Sequence, residues 1–256
     1  MLTALVTGAS RGIGAAIAKK LAQREVRVIL HARQESPYLA QSLESLAHPH
    51  LKHETVLADL IDITQVETMW ANLKHRGVQV DILVNNAGIY TLHRIPEDSV
   101  TQWDQHFADT IYANLISPAL LSNRVARAMQ AQPVQGSFGR GRMINITSRG
   151  AFRGEPEAPG YGAAKAGLNA FGQSLAKALA QDQIYTYTIA PGWVATDMAN
   201  PHLNGPLGPA ILEQHPLGRV ATVEELADLS VFCALDAPPT MTGCIIDING
   251  ASYLRT

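Results

Sequence analysis

Short apolar, β-branched runs alternate with helical-period segments along the whole chain, and this alternation limits the fold more than any other sequence feature. It is typical of a parallel sheet with crossover helices on both faces. Seven strands are predicted, at residues 2–7, 26–31, 54–58, 81–85, 142–147, 185–190 and 244–248. Helices are predicted at residues 13–23, 37–47, 63–75, 101–132, 160–181 and 223–235. The sequence therefore predicts an α/β fold, a doubly wound parallel sheet of the Rossmann type.

Local signals at the helix ends agree with this pattern. Ser36 before Pro37 predicts a helix start, and Thr222 with Glu225 predicts a capping box. Residues 133–141 and 200–216 contain Pro and Gly and are predicted as loops. Because neither a repeat nor a linker divides the sequence, residues 1–256 are predicted to form one domain.

Composition excludes several classes of protein. The chain has 256 residues, 46% of them hydrophobic and 16% charged, which is a globular balance. A net charge of -2 gives no excess of positive charge for binding nucleic acid or an anionic membrane surface. Cys233 and Cys244 cannot form a disulfide framework, and free thiols suit a reducing compartment. With neither a signal-peptide pattern nor an apolar run of about 20 residues, a cytoplasmic location is expected.

A glycine-rich turn follows the first predicted strand, Thr7-Gly8-Ala9-Ser10-Arg11-Gly12-Ile13-Gly14. Glycines at such a turn let the backbone and the start of the next helix approach a pyrophosphate. A glycine turn can also be a plain connection between strand and helix. Its place after the first strand and before a helix favours dinucleotide binding.

The end of the second strand bears on the choice of dinucleotide. NAD enzymes normally place an acidic residue there to bind the ribose hydroxyls, whereas this chain has Ala32 followed by Arg33. Without a carboxylate to repel a 2′-phosphate, and with Arg11 in the glycine turn, NADP(H) is favoured. The alternative is that both arginines are solvated surface residues.

A tyrosine and a lysine stand four residues apart in the helical segment Tyr161-Gly-Ala-Ala-Lys165, which places them on one helix face. Lowering a phenol from a pKa near 10 towards neutrality requires roughly 4 kcal/mol. An ammonium about 4 Å away supplies about that much at an effective dielectric near 20. Lys165 is therefore expected to lower the pKa of Tyr161.

Two more polar residues extend this constellation. Ser148 ends a buried-strand pattern, where sheets of this type present groups to a ligand. Thr147 is the alternative hydroxyl donor, but it fits the alternation of side chains along a strand and the spacing to Tyr161 less well. Asn114 interrupts a long helical stretch, where asparagine often marks a bend or a water site.

Taken together, these motifs resemble the short-chain dehydrogenase/reductase family over nearly the whole chain. The resemblance implies NADP(H)-dependent hydride transfer to a carbonyl, with catalytic residues Asn114, Ser148, Tyr161 and Lys165. It implies that Asp59 meets the adenine and that Asn85-Asn86-Ala87-Gly88 borders its ribose. The implied cofactor-binding residues are Gly8, Ser10, Arg11, Gly12, Ile13, Gly14, Arg33, Asp59, Leu60, Asn86, Ala87, Gly88, Tyr161, Lys165, Pro191, Gly192, Val194 and Thr196.

The sequence near the end also resembles bacterial 3-oxoacyl-carrier-protein reductases, through Pro216-Leu217-Gly218-Arg219 and Asp247-Ile248-Asn249-Gly250. This implies a small-molecule carbonyl or alcohol substrate, either free or carrier-bound, a short substrate lid at residues 197–215, and a homotetramer or homodimer. A small ketone, sugar or polycyclic alcohol is an alternative substrate. A non-catalytic NADP-binding scaffold and an epimerase or dehydratase are alternative functions.

Two further groups of residues have open interpretations. Arg149 and Arg153 either line the pocket, where they would suit an acidic or carrier-bound substrate, or are solvated at the surface. His48, His50 and His53 lie close in sequence, but nothing suggests converging ligands, and no metal site is expected.

Overall fold

The computed structural model describes residues 1–95 and 97–255. Its strands are β1 (Thr3–Val6), β2 (Arg27–Ala32), β3 (Glu54–Leu57), β4 (Ile82–Asn85), β5 (Gly141–Ile146), β6 (Ile184–Pro191) and β7 (Ile245–Ile248). They form one parallel sheet in the order β3-β2-β1-β4-β5-β6-β7. The predicted Rossmann sheet is confirmed, and every predicted strand end lies within one residue of the observed one.

The connecting helices lie on both faces of the sheet. They are α1 (Gly12–Gln23), α2 (Pro37–Glu44), α3 (Ile63–His75), α4 (Val100–Ile111), α5 (Ser117–Gln130), α6 (Pro159–Leu179), α7 (Asn200–Leu203), α8 (Gly208–Glu213) and α9 (Val223–Val231). The Ser36 side chain caps α2, and Thr222 with Glu225 forms the predicted capping box of α9.

Two apolar cores cover the two faces of the sheet. One core joins the sheet to α1, α2 and α9, through residues such as Ile17, Leu39 and Ala227. The other joins it to α3, α5 and α6, through residues such as Met69 and Leu121. Because both faces are covered, the central strands are buried, as their continuous apolar runs predict.

The predicted helix at residues 101–132 is divided. α4 ends at Ile111, a π-helical turn spans Tyr112–Ile116, and α5 begins at Ser117. Residues 223–235 behave similarly, because α9 runs into a π-helical turn at Phe232–Asp236. Periodicity alone did not predict either turn.

The predicted loop at residues 200–216 contains two short helices, α7 and α8, so that prediction was wrong in part. Each helix has a proline in its first turn, where the missing amide hydrogen costs nothing and the fixed φ favours helix. The same prolines that suggested a loop therefore start helices here.

The segment at residues 133–141 lies at the amino end of β5, across the sheet from the carboxyl edge. The buried Arg142 side chain holds it, donating to the backbone carbonyls of Ser137 (3.2 Å) and Phe138 (3.4 Å). The Arg142 guanidinium also lies 5.2 Å from the centre of the Phe138 ring. The segment is thus anchored to the sheet.

Strand order reverses between β1 and β4, and in sheets of this kind ligands bind where the carboxyl ends of such strands diverge. The glycine turn follows β1, and Ser148 follows β5, so both lie along this edge. Among the helices of the described residues, none is both long and apolar enough to cross a membrane.

Candidate active site

The glycine turn after β1 is closely packed. Gly8 has φ +64°, and a Cβ atom there would lie 2.8 Å from the Ala87 Cα atom. A Cβ atom on Gly14 would lie 2.3 Å from the Gly8 carbonyl oxygen. Real Cβ atoms do not approach so closely, so both positions require glycine, which accounts for two of the three glycines in the motif.

The start of α1 fits an anion. Its N-cap residue, Arg11, makes no side-chain cap, and its first turn has no acidic residue. Backbone amides at such an end, together with the helix dipole, favour negative charge. Thr196 lies over this turn, since its Cγ2 atom would be 3.7 Å from a Cβ atom on Gly12. The residues present therefore fit a dinucleotide pyrophosphate.

Asn86 and Ala87 brace the glycine turn from β4. The Asn86 side chain donates to the carbonyl of Thr7 (2.8 Å), and the amides of Asn86 and Ala87 both donate to the Thr7 hydroxyl (2.9 and 3.0 Å). Asn85 instead donates to Ser122 and Asn145 beneath the sheet edge. The Asn-Asn-Ala-Gly segment thus ties β4 to β1.

His31, at the end of β2, is a residue that the sequence analysis missed. Its Nε2 atom lies 3.0 Å from the Ala58 carbonyl oxygen, and its Nδ1 atom accepts from the Gly8 amide at 3.3 Å. Burial lowers the pKa of His31 to about 4, so the imidazole is neutral at physiological pH. In the sequence, the only sign of this role is that His31 is a lone polar residue at the end of an apolar strand.

The residues predicted to choose between the dinucleotides lie at the same end of the sheet. Ala32 is buried, whereas Arg33 and Arg11 are exposed, and the Arg11 guanidinium lies 5.8 Å from the centre of the Tyr38 ring. Asp59 follows β3, where its carboxylate accepts from the Ile61 amide at 3.0 Å. Ser10, Ile13 and Leu60 complete this group, with Leu60 buried and its carbonyl accepting from Ser117 (2.6 Å).

Two of the candidate catalytic side chains, Asn114 and Lys165, converge beside Gly88. A Cβ atom on Gly88 would lie 3.1 Å from Asn114 Oδ1 and 3.3 Å from Lys165 Nζ. The buried Lys165 ammonium donates to the Ile146 carbonyl at 2.9 Å, at the end of β5. It lies 5.7 Å from the centre of the Tyr161 ring. Three segments distant in sequence therefore bring these groups together.

Asn114 is fully buried within the π-helical turn between α4 and α5. Its side chain accepts from the Ile89 amide (2.8 Å) and donates to the Ile89 carbonyl (2.9 Å). The helical pattern is thus interrupted at this asparagine by a π-helical turn. The asparagine amide binds the backbone that follows the Asn-Asn-Ala-Gly segment.

Ser148 and Thr147 point to different partners. The buried Thr147 hydroxyl donates to the Ile189 carbonyl at 3.2 Å, within the sheet. The Ser148 hydroxyl caps the turn Arg149–Phe152 by accepting from the Gly150 amide at 3.0 Å, and its nearness to the Tyr161 hydroxyl acts to lower the pKa of that phenol. Ser148 is therefore the hydroxyl residue beside Tyr161.

The expected lowering of the Tyr161 pKa by Lys165 does not occur in this structure. Burial raises the pKa of Tyr161 to about 12, and the interaction with Ser148 opposes this only in part. Burial also lowers the pKa of Lys165 to about 8. Desolvation penalises both charged forms and is the largest cause of both shifts.

The Glu155 carboxylate is one of the groups that raise the pKa of Tyr161, because a nearby negative charge disfavours the phenolate. We expect Glu155→Gln to lower the pKa of Tyr161, so the alkaline limb of its phenolate absorbance, taken as the difference from the Tyr161→Phe spectrum, should move to lower pH. Glu157→Gln is the matched control, since Glu157 pairs with Arg94 and should leave that limb in place. An unchanged limb in Glu155→Gln would exclude this coupling.

The segment after β6 closes over the same edge. Pro191 ends β6, and a Cβ atom on Gly192 would lie 2.9 Å from the Asn249 Cβ atom. Val194 is buried and pairs with Ala221. The predicted lid at residues 197–215 follows directly and includes α7 and α8.

Arg149 is buried, so surface solvation, one of its two interpretations, was wrong for this residue. Its guanidinium donates to Ser252 (2.8 Å) and to Gln214 (3.1 Å), which joins the turn after Ser148 to α8 and to the chain end. Arg153 pairs with Glu155 at 3.4 Å.

The three loop histidines have separate environments. His53 accepts from the Val28 amide and contacts the Ala47 carbonyl, whereas the rings of His48 and His50 lie 5.7 Å apart. Across residues 1–95 and 97–255, no group of three His, Cys, Asp or Glu side chains is arranged to hold a metal ion.

Comparison with known sequences supports a family assignment. The family model described as enoyl-(acyl carrier protein) reductase matches residues 8–251. The 3-oxoacyl-[acyl-carrier-protein] reductase FabG of Escherichia coli is 36% identical over 251 residues, covering 98% of this chain and 97% of that protein.

Solved structures are similar over almost the whole chain. A protein proposed to be a gluconate dehydrogenase, from Agrobacterium tumefaciens, has a TM-score of 0.86 at 29% identity, covering 99% of this chain and 97% of that one. A short-chain dehydrogenase from Burkholderia cenocepacia, in complex with NADP, has a TM-score of 0.83 at 27% identity, covering 98% and 97%.

Proposed function

Because this chain belongs to the short-chain dehydrogenase/reductase family of oxidoreductases, we propose that it uses NADP(H) to reduce a carbonyl group to a secondary alcohol. One observation carries the proposal. Asn114 and Lys165 converge beside Gly88, and Tyr161 lies next to Lys165 and Ser148, at the sheet edge that also bears the glycine turn.

The cofactor proposal rests on the residues around the glycine turn. Gly8, Gly12 and Gly14 with the start of α1 cradle the pyrophosphate, and Arg11 and Arg33 bind the 2′-phosphate. The complex of the Burkholderia cenocepacia relative with NADP supports this choice. Pro191, Gly192, Val194 and Thr196 border the nicotinamide, which supplies the hydride when the cofactor is bound.

Each candidate catalytic side chain has a role that follows from its protonation or its contacts. A phenol with a pKa of about 12 keeps its proton at neutral pH, so Tyr161 acts as the acid towards the carbonyl oxygen. Ser148 donates a hydrogen bond to that oxygen. Lys165, with a pKa of about 8, stays largely protonated at neutral pH and stabilises the phenolate left after proton transfer. Asn114 holds the backbone at Ile89 beside Lys165.

Two substrate classes are supported. A 3-oxoacyl thioester or related ketone is favoured by the likeness to FabG, with 36% identity across the chain. A sugar acid is the second candidate, because a protein proposed to be a gluconate dehydrogenase has a TM-score of 0.86. We propose that the protein assembles as a homotetramer or a homodimer. Light scattering of the purified protein would give its molar mass and so distinguish the two.

Loss of NADPH absorbance with a carbonyl panel tests this function. The panel contains acetoacetyl and longer 3-oxoacyl thioesters, diketones, quinones and keto-sugar acids, with gluconate and NADP⁺ for the reverse reaction. We expect turnover with at least one class, and faster turnover with NADPH than with NADH. NADPH binding without any turnover would instead support a non-catalytic, NADP-binding scaffold.

A further inference from the structure

The helix that bears Tyr161 and Lys165 starts without a cap of its own. The N-cap position of α6 is Ala158, whose side chain has no acceptor atom, and Pro159 has no amide hydrogen. The first amide that needs a partner is therefore that of Gly160, next to Tyr161. It donates to the Nε2 atom of His93 at 2.8 Å.

His93 is built to accept this hydrogen bond. Its side chain is fully buried, and its Nδ1 atom lies 2.8 Å from the Thr91 carbonyl oxygen. A carbonyl oxygen can only accept, so the proton is on Nδ1 and the lone pair is on Nε2. The neutral tautomer that caps Gly160 is thus fixed by the backbone two residues earlier.

Close packing holds the imidazole in place. The His93 ring meets Trp103 and Phe107 edge-on, with centres 5.9 and 6.0 Å apart, and those two rings stack on each other at 4.9 Å. A Cβ atom on Gly160 would lie 3.0 Å from His93 Nε2 and 3.0 Å from Phe107 Cδ2. The helix start therefore packs tightly against this ring cluster, and a side chain at residue 160 would press on both rings.

The same segment also contacts the tyrosine. The His93 amide donates to the Glu157 carbonyl (2.9 Å), just before α6. Tyr90, three residues earlier, lies edge-on to the Tyr161 ring with centres 5.0 Å apart. The connection between β4 and α4 therefore holds α6 by its first turn and Tyr161 by its ring.

We propose that His93 is a positioning residue, which caps the Gly160 amide and thereby holds the Tyr161 hydroxyl over Ser148. This deepens the proposed function and rests on it for its catalytic consequence. Both ring nitrogens are engaged by the backbone, so His93 exchanges no proton with substrate. His93 affects the position of the Tyr161 hydroxyl. A displacement of a general acid by about 1 Å can lower the rate by about 10²-fold.

Three substitutions separate the cap from the packing. His93→Gln places an amide oxygen near the Nε2 position and can still accept from Gly160. His93→Asn keeps only a donor for the Thr91 carbonyl, and His93→Phe keeps only the ring. His106→Gln is the control, because His106 contacts the Leu92 carbonyl in the same segment from α4.

We expect His93→Asn and His93→Phe to lower kcat by about 10- to 100-fold, with little change in the Kd for NADPH, and His93→Gln to recover most of kcat. Hydrogen exchange at the Gly160 amide should accelerate in the same two variants and stay slow in His93→Gln. His106→Gln should match the wild type in both measurements.

The two readouts distinguish the possible failures. If the wild type reduces no carbonyl, the proposed function fails, while the exchange rates at Gly160 still decide whether His93 caps α6. If His93→Gln loses as much kcat and protection as His93→Phe, the ring packing matters and the positioning role is wrong. Full kcat in His93→Phe overturns it as well.

Discussion

Tyr161→Phe is expected to lower kcat by about 10²- to 10⁴-fold, the usual cost of losing a general acid, while NADPH binding is retained. The change removes only the hydroxyl group. The edge-on contact with Tyr90 and the position of Lys165 beside the ring depend on the ring itself, which phenylalanine keeps. The substitution therefore tests proton donation without disturbing the packing around it.

Three measurements complete this test: kcat with the best carbonyl substrate, the Kd for NADPH from its fluorescence, and the melting temperature. Tyr90→Phe is the matched control, because it removes a hydroxyl from the neighbouring ring and should leave kcat near the wild-type value. A Tyr161→Phe variant with wild-type kcat would refute the role of Tyr161. A lost NADPH affinity would instead point to a binding defect.

The expected size of this effect does not depend on the pKa that sequence reasoning assigned to Tyr161. The four-residue spacing correctly places Tyr161 and Lys165 on one helix face, but the cost of burial cannot be read from spacing. Burial keeps the phenol protonated, which suits an acid for carbonyl reduction. For the reverse reaction, the same phenol must first lose its proton.

Sequence periodicity predicted the sheet well because buried parallel strands and crossover helices have distinct apolar patterns. The misses at the candidate site share a different cause, since each depends on contacts between segments distant along the chain. His31 and His93 are lone histidines in sequence, and each accepts from a backbone amide that only packing of distant segments brings near. Arg149 is buried because α8 and the chain end cover it.

The second large effect is expected at the adenine end of the site, where Arg33→Asp should shift cofactor preference from NADPH towards NADH. A charge-assisted hydrogen bond contributes about 1.5 to 3 kcal/mol, so its loss costs NADPH about 10- to 150-fold in kcat/KM. The new carboxylate also repels the 2′-phosphate and can accept from the ribose hydroxyls of NADH.

The exposed position of Arg33 next to the buried Ala32 makes this a clean substitution, since no packing is removed. Arg33→Ala separates the lost cation from the added carboxylate, because it should weaken NADPH without improving NADH. Arg127→Asp changes the net charge equally at an exposed site on α5 and should leave the NADPH/NADH ratio of kcat/KM unaltered. An unchanged ratio in Arg33→Asp would leave Arg11 as the remaining candidate for binding the 2′-phosphate. Equal kcat/KM values for NADPH and NADH in the wild type would contradict NADP(H) selectivity altogether.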